Sequence, residues 1–232
     1  MPFPGLKALQ NESPDTGQLK ISAVSEDTNA PIENATVTVS YTGNPTDIIE
    51  QLTTNADGQL DSLTLPAPPL EYSMQYGRPQ PYSEYTITIT APGFDDFQVS
   101  GVEVLPLVTA LYQAKLTPRT APAEETIFVI GPHTLFGDYP PKIAESEIKP
   151  IDESGEIVLS RVVVPETVIV HDGPPTDRSA RDYYVSYKDY IKNVASSEIY
   201  ATWPEATIRA NVLAIMSFTL NRVYTEWYRN HH

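Results

Sequence analysis

An α+β fold is what the sequence predicts, with an antiparallel β-sandwich ahead of a helical segment, and three observations carry that expectation. From Gln18 to about Leu116 apolar residues alternate with polar ones at a period of two. Turn-forming residues interrupt that alternation at intervals of roughly ten. From residue 183 onward the period changes to steps of three and four, the spacing of one helix face. The 22 prolines against 11 glycines agree with many rigid turns and extended connectors.

Residues 1–16 carry isolated apolar positions and no repeating period, so they are expected as an N-terminal arm. Leu19, Ile21 and Ala23 then alternate with Lys20 and Ser22, and Val37, Val39 and Tyr41 alternate with threonines and Ser40. These read as half-buried strands. Asn55-Ala-Asp57-Gly58 signals a turn, with Asp57 expected to bond its own downstream backbone and Gly58 to take a positive φ, and a strand holding Leu60, Leu63 and Leu65 follows it. Tyr85-Thr-Ile87-Thr-Ile89 is the cleanest alternation, and further strands fit Phe97 to Val104 and Ala110 to Leu116. About seven short strands in roughly a hundred residues predict an immunoglobulin-like sandwich over residues 17–117.

A polar, proline-bearing run, Thr117-Pro118-Arg-Thr-Ala-Pro122-Ala-Glu-Glu125, is the predicted domain boundary. Residues 118–182 are expected as linker, long loop and short strands. A strand is read at Thr126 to Ile130, an irregular stretch at 131–155, and two strands at Glu156 to Val164 and Thr167 to His171. Residues 183–232 are predicted to be helical, with one helix from about Lys188 to Ile199. Tyr187, Tyr190, Ile191, Val194 and Ala195 share its face. Pro204 suits the first turn of a second helix, along which Ile208, Val212, Ile215, Met216, Leu220, Val223 and Trp227 form an apolar stripe.

Composition limits the function classes. The formal charge is −15, and residues 1–182 hold 10 Lys+Arg against 26 Asp+Glu. A phosphate backbone would be repelled by such a surface, and no basic patch offsets it, so no nucleic-acid partner is expected. The longest apolar run, Val212 to Leu220, holds Ser217 and Thr219 and falls short of the ~18 residues a bilayer span needs. No membrane span is expected. The N-terminus shows no basic cluster followed by an apolar core, so no secretory signal is visible in it. With no cysteine, disulfides, thiolate zinc sites and cysteine nucleophiles are excluded. Of the four histidines, His171 stands beside Asp172, but neighbours in a strand point to opposite faces, so the pair reads as a strand end rather than a base with its orienting acid.

Two resemblances add to this reading. Gly17-Gln-Leu19-Lys-Ile21, Pro31-Ile32 with Ala35-Thr-Val37, Asp57-Gly58, Tyr85-Thr-Ile87 and Pro92-Gly93-Phe94 resemble a carboxypeptidase regulatory-like, or transthyretin-like, module. Such modules are usually scaffolds. A related pilin-type sandwich can carry a Lys–Asn crosslink, but the parity of Lys20 with Leu19 and Ile21 turns Lys20 outward.

In the helical segment, Glu198 stands at a predicted helix C-terminus, where the dipole favours its protonated form, and just before an aromatic-proline break. On the residues alone it is either a general acid or an ordinary surface glutamate. Tyr190-Ile191, Val194-Ala195, Ser197-Glu198, Ala201, Trp203-Pro204, Ile208-Arg209-Ala210 and Ala214 resemble the opening of the stage II sporulation protein D family. Its members are lytic transglycosylases that cut the glycan strands of peptidoglycan. The resemblance implies that Glu198 is the catalytic acid, protonating the departing glycosidic oxygen and then helping the sugar's C6 hydroxyl close an anhydro ring. It implies no cofactor and no metal. Ser197, Tyr200 and Trp203 are the candidate substrate-binding residues, the two aromatics either stacking on a sugar or pinning the helix break. Tyr200 stands where the family has proline, Asn211 where it has glutamine, and Met216-Ser217-Phe218 where it has Arg-Thr-Tyr.

The match covers the first part of that domain, so an incomplete catalytic unit is expected, its activity belonging to a longer parent. The expected function is therefore bacterial cell-wall-directed, in the envelope or outside the cell, with peptidoglycan strands as partner. The alternative is a non-catalytic structural/assembly or wall-binding module, of the kind that belongs to a larger extracellular or phage-like particle, with a protein partner meeting the sandwich or the 131–155 loop.

Overall fold

The computed structural model describes residues 15–74, 80–120, 125–135, 163–174 and 177–224. The chain divides into two compact units, Met1–His133 and Thr134–His232.

Eight strands build the described part of the first unit: β1 (Asp15–Ser25), β2 (Thr36–Tyr41), β3 (Ile48–Thr53), β4 (Leu63–Ala67), β5 (Ser83–Thr90), β6 (Asp96–Val104), β7 (Thr109–Leu116) and β8 (Glu125–Val129). They form a three-stranded sheet in the order β4-β1-β7 and a five-stranded sheet in the order β3-β2-β5-β6-β8. The alternation seen in the sequence sends one side chain in two inward. Leu19, Ile21 and Ala23 of β1, Leu65 of β4 and Leu116 of β7 meet Val37 and Val39 of β2, Ile87 and Ile89 of β5 and Val99 of β6, all buried. Each such aliphatic side chain contributes roughly 1.5–3 kcal/mol by leaving water, and Lys20 is exposed as its parity requires. Tyr85 is fully buried, stacks on Tyr41 with ring centroids 5.2 Å apart and donates its hydroxyl to the Pro66 carbonyl.

Most ladders are antiparallel, but two are parallel: β1 with β7 and β6 with β8. The second changes the expected boundary. The run from Thr126, read as lying beyond the sandwich, pairs Thr126 with Phe97 and Ile127 with Gln98, so the first unit extends past residue 117 to His133. β3 is a strand the alternation did not reveal, because it lies at the sheet edge and only Ile49 and Leu52 are partly covered. At the turn after it, the bonding falls to Asn55 rather than Asp57: Asn55 Oδ1 accepts from the backbone N–H of Asp57 at 3.0 Å and of Gln59 at 2.9 Å. Gly58 has φ of +68° as expected, and a Cβ there would strike the Ala23 carbonyl.

The described second unit has a hairpin of β9 (Thr167–His171) and β10 (Asp182–Ser186), then α1 (Tyr187–Glu198) and α2 (Glu205–Tyr224). β10 corrects the expectation of helix from residue 183: Tyr183, Tyr184 and Val185, all good strand formers, pair with Val170, Ile169 and Val168. Ser186 ends that strand and caps α1, its Oγ accepting from the Asp189 N–H at 3.1 Å and donating to Asp189 Oδ2 at 2.7 Å. Pro204 immediately precedes α2, and its carbonyl accepts from Thr207 and Ile208. Val168, Tyr187, Ile191 and Ile215 are buried together, with Val212, Met216, Leu220 and Val223 packed against them, so Val212, Ile215, Met216, Leu220 and Val223 of the predicted stripe join this core and Ile208 does not. No helix among the described residues is long and apolar enough to cross a membrane. The 1–14 arm, most of the 131–155 loop, most of the strand expected at Glu156 to Val164, and Trp227 lie outside the described residues; Val163 and Val164 are described and are not in a strand.

Candidate functional site

Glu198 is the last residue of α1 and is half-buried. Because α1 and α2 pack with the turn of residues 199–204 between them, Asn211 on α2 comes opposite it, and Asn211 Nδ2 donates to Glu198 Oε2 at 2.7 Å. The other end of that amide, Oδ1, is buried with no hydrogen-bond partner. Arg209, on the same helix as Asn211, pairs with Glu205 at 2.7 Å. The structure therefore gives Glu198 an amide partner between two helices.

Beside this pair, the same helices form a groove of about 560 Å³, with walls of Ile191, Ala195, Ile199, Tyr200, Val212 and Met216. Lys188, Lys192 and Ser196 also line it, and Tyr187, 6% exposed, contributes a hydroxyl that is buried without a partner. Burial pushes the Tyr187 hydroxyl up from its ordinary value. The four sequence-predicted residues separate here. Tyr200 lines the groove, whereas Ser197, Glu198 and Trp203 are not among its walls. Ser197 Oγ is spent on the Asn193 carbonyl at 2.9 Å, one turn back in its own helix. The Trp203 N–H closes the interhelical turn on the Tyr200 carbonyl at 3.1 Å.

His171 has a partner that adjacency concealed. Its Nδ1 lies 2.7 Å from Asp182 Oδ1, directly across the β9–β10 ladder, and its Nε2 lies 3.1 Å from the Pro174 carbonyl. The Asp182 hydrogen bond, backed by Pro174, holds its pKa above the usual histidine value. Among the described residues, no group of three or more His, Asp or Glu is placed to hold a metal ion.

The first unit brings together a polar cluster that no spacing announced: Tyr82, Glu84, Glu103 and His133, from the start of β5, from β6 and from beyond β8. Burial pushes the Glu103 carboxyl up to about 7.

No protein-family model matches the chain. No curated protein matches it either. Among solved structures, it is similar to the Bacillus anthracis TIE protein at 21% identity and TM-score 0.32, over 45% of this chain and 17% of that one. It is similar to Klebsiella pneumoniae 5-hydroxyisourate hydrolase at 18% identity and TM-score 0.30, over 44% and 91% of the two chains. A third likeness is to GBS52, the minor pilin of Streptococcus agalactiae, at 15% identity and TM-score 0.32, over 48% of each. The chain thus spans less than half the length of the first and third of these proteins.

Proposed function

We propose that the chain is a non-catalytic binding and assembly module, a β-sandwich scaffold followed by a helical unit whose groove takes an apolar segment of a protein partner at the cell envelope or outside it. One observation carries this reading: the groove between α1 and α2 is walled by apolar side chains, and the carboxylate of Glu198 is not among them. A general acid has to come within hydrogen-bond reach of the leaving oxygen. A glycan site also needs several convergent polar groups, while apolar walls with a few polar groups at the margin suit an apolar body. Lys188 and Lys192 line the groove with their aliphatic stems, and the Lys192 ammonium pairs with Asp189 Oδ1 at 3.1 Å, so the walls offer an occupant apolar contact. The test is titration with 1-anilinonaphthalene-8-sulfonate, an apolar fluorophore with one sulfonate. Saturable fluorescence enhancement is expected, and loss of it in a folded Ala195→Trp variant, which fills the groove. Enhancement unchanged by that substitution would remove the groove as the binding site.

A second reading, lytic cleavage of peptidoglycan glycan strands with Glu198 as acid, is favoured by one contact. Asn211, which stands where the stage II sporulation protein D family has glutamine, is the residue whose amide holds Glu198. On this reading a longer parent protein supplies the rest of the cleft. Anhydro-ended fragments released from purified strands by the wild type and not by Glu198→Gln would establish it and overturn the non-catalytic reading.

A further inference from the structure

Four strands end the two sheets of the sandwich, and three of them carry features that discourage a further strand from pairing. β3 has Glu50 and a register shift against β2, β4 has Pro66, and β7 has the exposed Lys115. β8 has none of these. From Thr126 to Val129 it holds no charge, no proline and no glycine, and its ladder to β6 runs without a register shift. It ends the five-stranded order, and among the described residues no strand lies beyond it. Ile127, Phe128 and Val129 are all exposed.

The direction of the free backbone groups follows from the strap that continues β8 over residues 130–133. There the Ile130 N–H donates to the Ser100 carbonyl at 2.9 Å, and the His133 N–H reaches the Tyr82 hydroxyl at 2.7 Å, which keeps the strap on the sandwich. In a strand the N–H and C=O of successive residues point to opposite edges. Phe128, in phase with Ile130, therefore turns its backbone groups toward β6, and Ile127 and Val129 turn theirs to the open side. Ile127 pairs with Gln98, which lies between the buried Phe97 and Val99, so the Ile127 side chain stands on the face away from the core.

Charge decides what kind of strand this edge suits. At the start of the ladder Glu125 is in register with Asp96, beside Asp95, and the Arg119 guanidinium lies 3.5 Å from Asp95 and from Asp96. Three carboxylates against one guanidinium leave that end negative. The whole unit is acidic as well, with 5 Lys+Arg against 16 Asp+Glu in residues 1–133, so a second copy meets repulsion where a basic segment meets attraction.

We propose that β8 is a docking edge for an extended segment of another protein, alternately apolar and flanked by lysine or arginine, which adds to the five-stranded sheet as a further strand. Its main chain takes up the outward N–H and C=O groups of Ile127 and Val129, its apolar side chains cover theirs, and a basic flank lies beside Glu125. The site is separate from the groove between α1 and α2, and neither depends on the other.

The probe is a short capped peptide of alternating valine and threonine with a lysine at each end, and the readout is amide hydrogen exchange in the full chain. Without peptide, the Ile127 and Val129 amides are expected to exchange fast and the Ile130 amide slowly. With peptide at ten times its Kd, the first two should slow by about tenfold. The slowing should vanish in Ile127→Pro, which removes an outward N–H and leaves the ladder to β6 intact. Should that variant fail to fold, the same peptide N-methylated along one edge serves instead, and it should bind the wild type no better than a scrambled control. Outward amides unchanged at millimolar peptide, or full slowing with the N-methylated peptide, overturn the docking edge. So does protection already present without peptide: if it persists on dilution the chain covers its own edge, and if it fades a second copy does. Equal binding of a peptide with glutamates in place of the lysines overturns the basic partner.

Discussion

The carboxylate of Glu198 is tied to α2 by one amide, and what that amide does for the fold is separable from any chemistry. Removing a partner from a half-buried carboxylate costs about 1–2 kcal/mol. Asn211→Ala is therefore expected to lower the stability of the helical unit by that amount in urea denaturation, with the sandwich unaffected. At His171 the expectation concerns pH. Because its folded pKa is raised by Asp182, its contribution is fully present below the unfolded value of about 6.5 and is lost as pH rises through the raised folded value. Asp182→Asn should thus weaken the β9–β10 hairpin at pH 5.5 more than at pH 8.5, and a proton-NMR titration should show the His171 midpoint fall. Equal weakening at both pH values would refute the assignment. Glu198 could be singled out as a candidate because its neighbours in the motif are its neighbours in the chain. Glu103 was not, because Glu84 and His133 reach it only through the ladder and the strap.

At the scale of elements, close approach of backbones rather than side-chain pattern decides where the first unit stops. Gly101 is required both by its positive φ and by the Ile130 carbonyl against it. Gly101→Ala is expected to cost about 1–3 kcal/mol and to raise exchange at the Ile130 amide, where a Gly93→Ala change, equally positive in φ but with open space around it, leaves that amide protected. The strands with strict alternation, β1, β2, β5 and β6, were legible because one face of each is buried in the core. β3 and β10 were not, since an edge strand and a small hairpin bury too few side chains to impose a period. β8 was recognised as a strand, but its parallel pairing to β6 depends on a partner some thirty residues earlier, and a proline-bearing run between them reads as a linker.

For the whole molecule, the two units have separate cores, one between two sheets and one between a hairpin and two helices. Calorimetry of the full chain is expected to show two transitions, the sandwich melting at the higher temperature because its core is larger and more fully buried. A single transition with equal calorimetric and van't Hoff enthalpies would refute this independence. The units also differ in charge: residues 1–133 hold 5 Lys+Arg against 16 Asp+Glu, and the remainder 10 against 14. The charge asymmetry was legible in composition. The position of the boundary was not, because it is set by the β8 ladder and the strap.

Among the described residues, the groove between α1 and α2 can be set against another apolar surface, the outer edge of the sandwich at Ile127, Phe128 and Val129, which are 56%, 50% and 78% exposed. Mapping the backbone and methyl shifts of the isotope-labelled chain during titration with 1-anilinonaphthalene-8-sulfonate separates them. The account predicts saturable shifts at Ile191, Ala195, Val212 and Met216, with β8 unmoved. Shifts confined to Ile127, Phe128 and Val129 would contradict it.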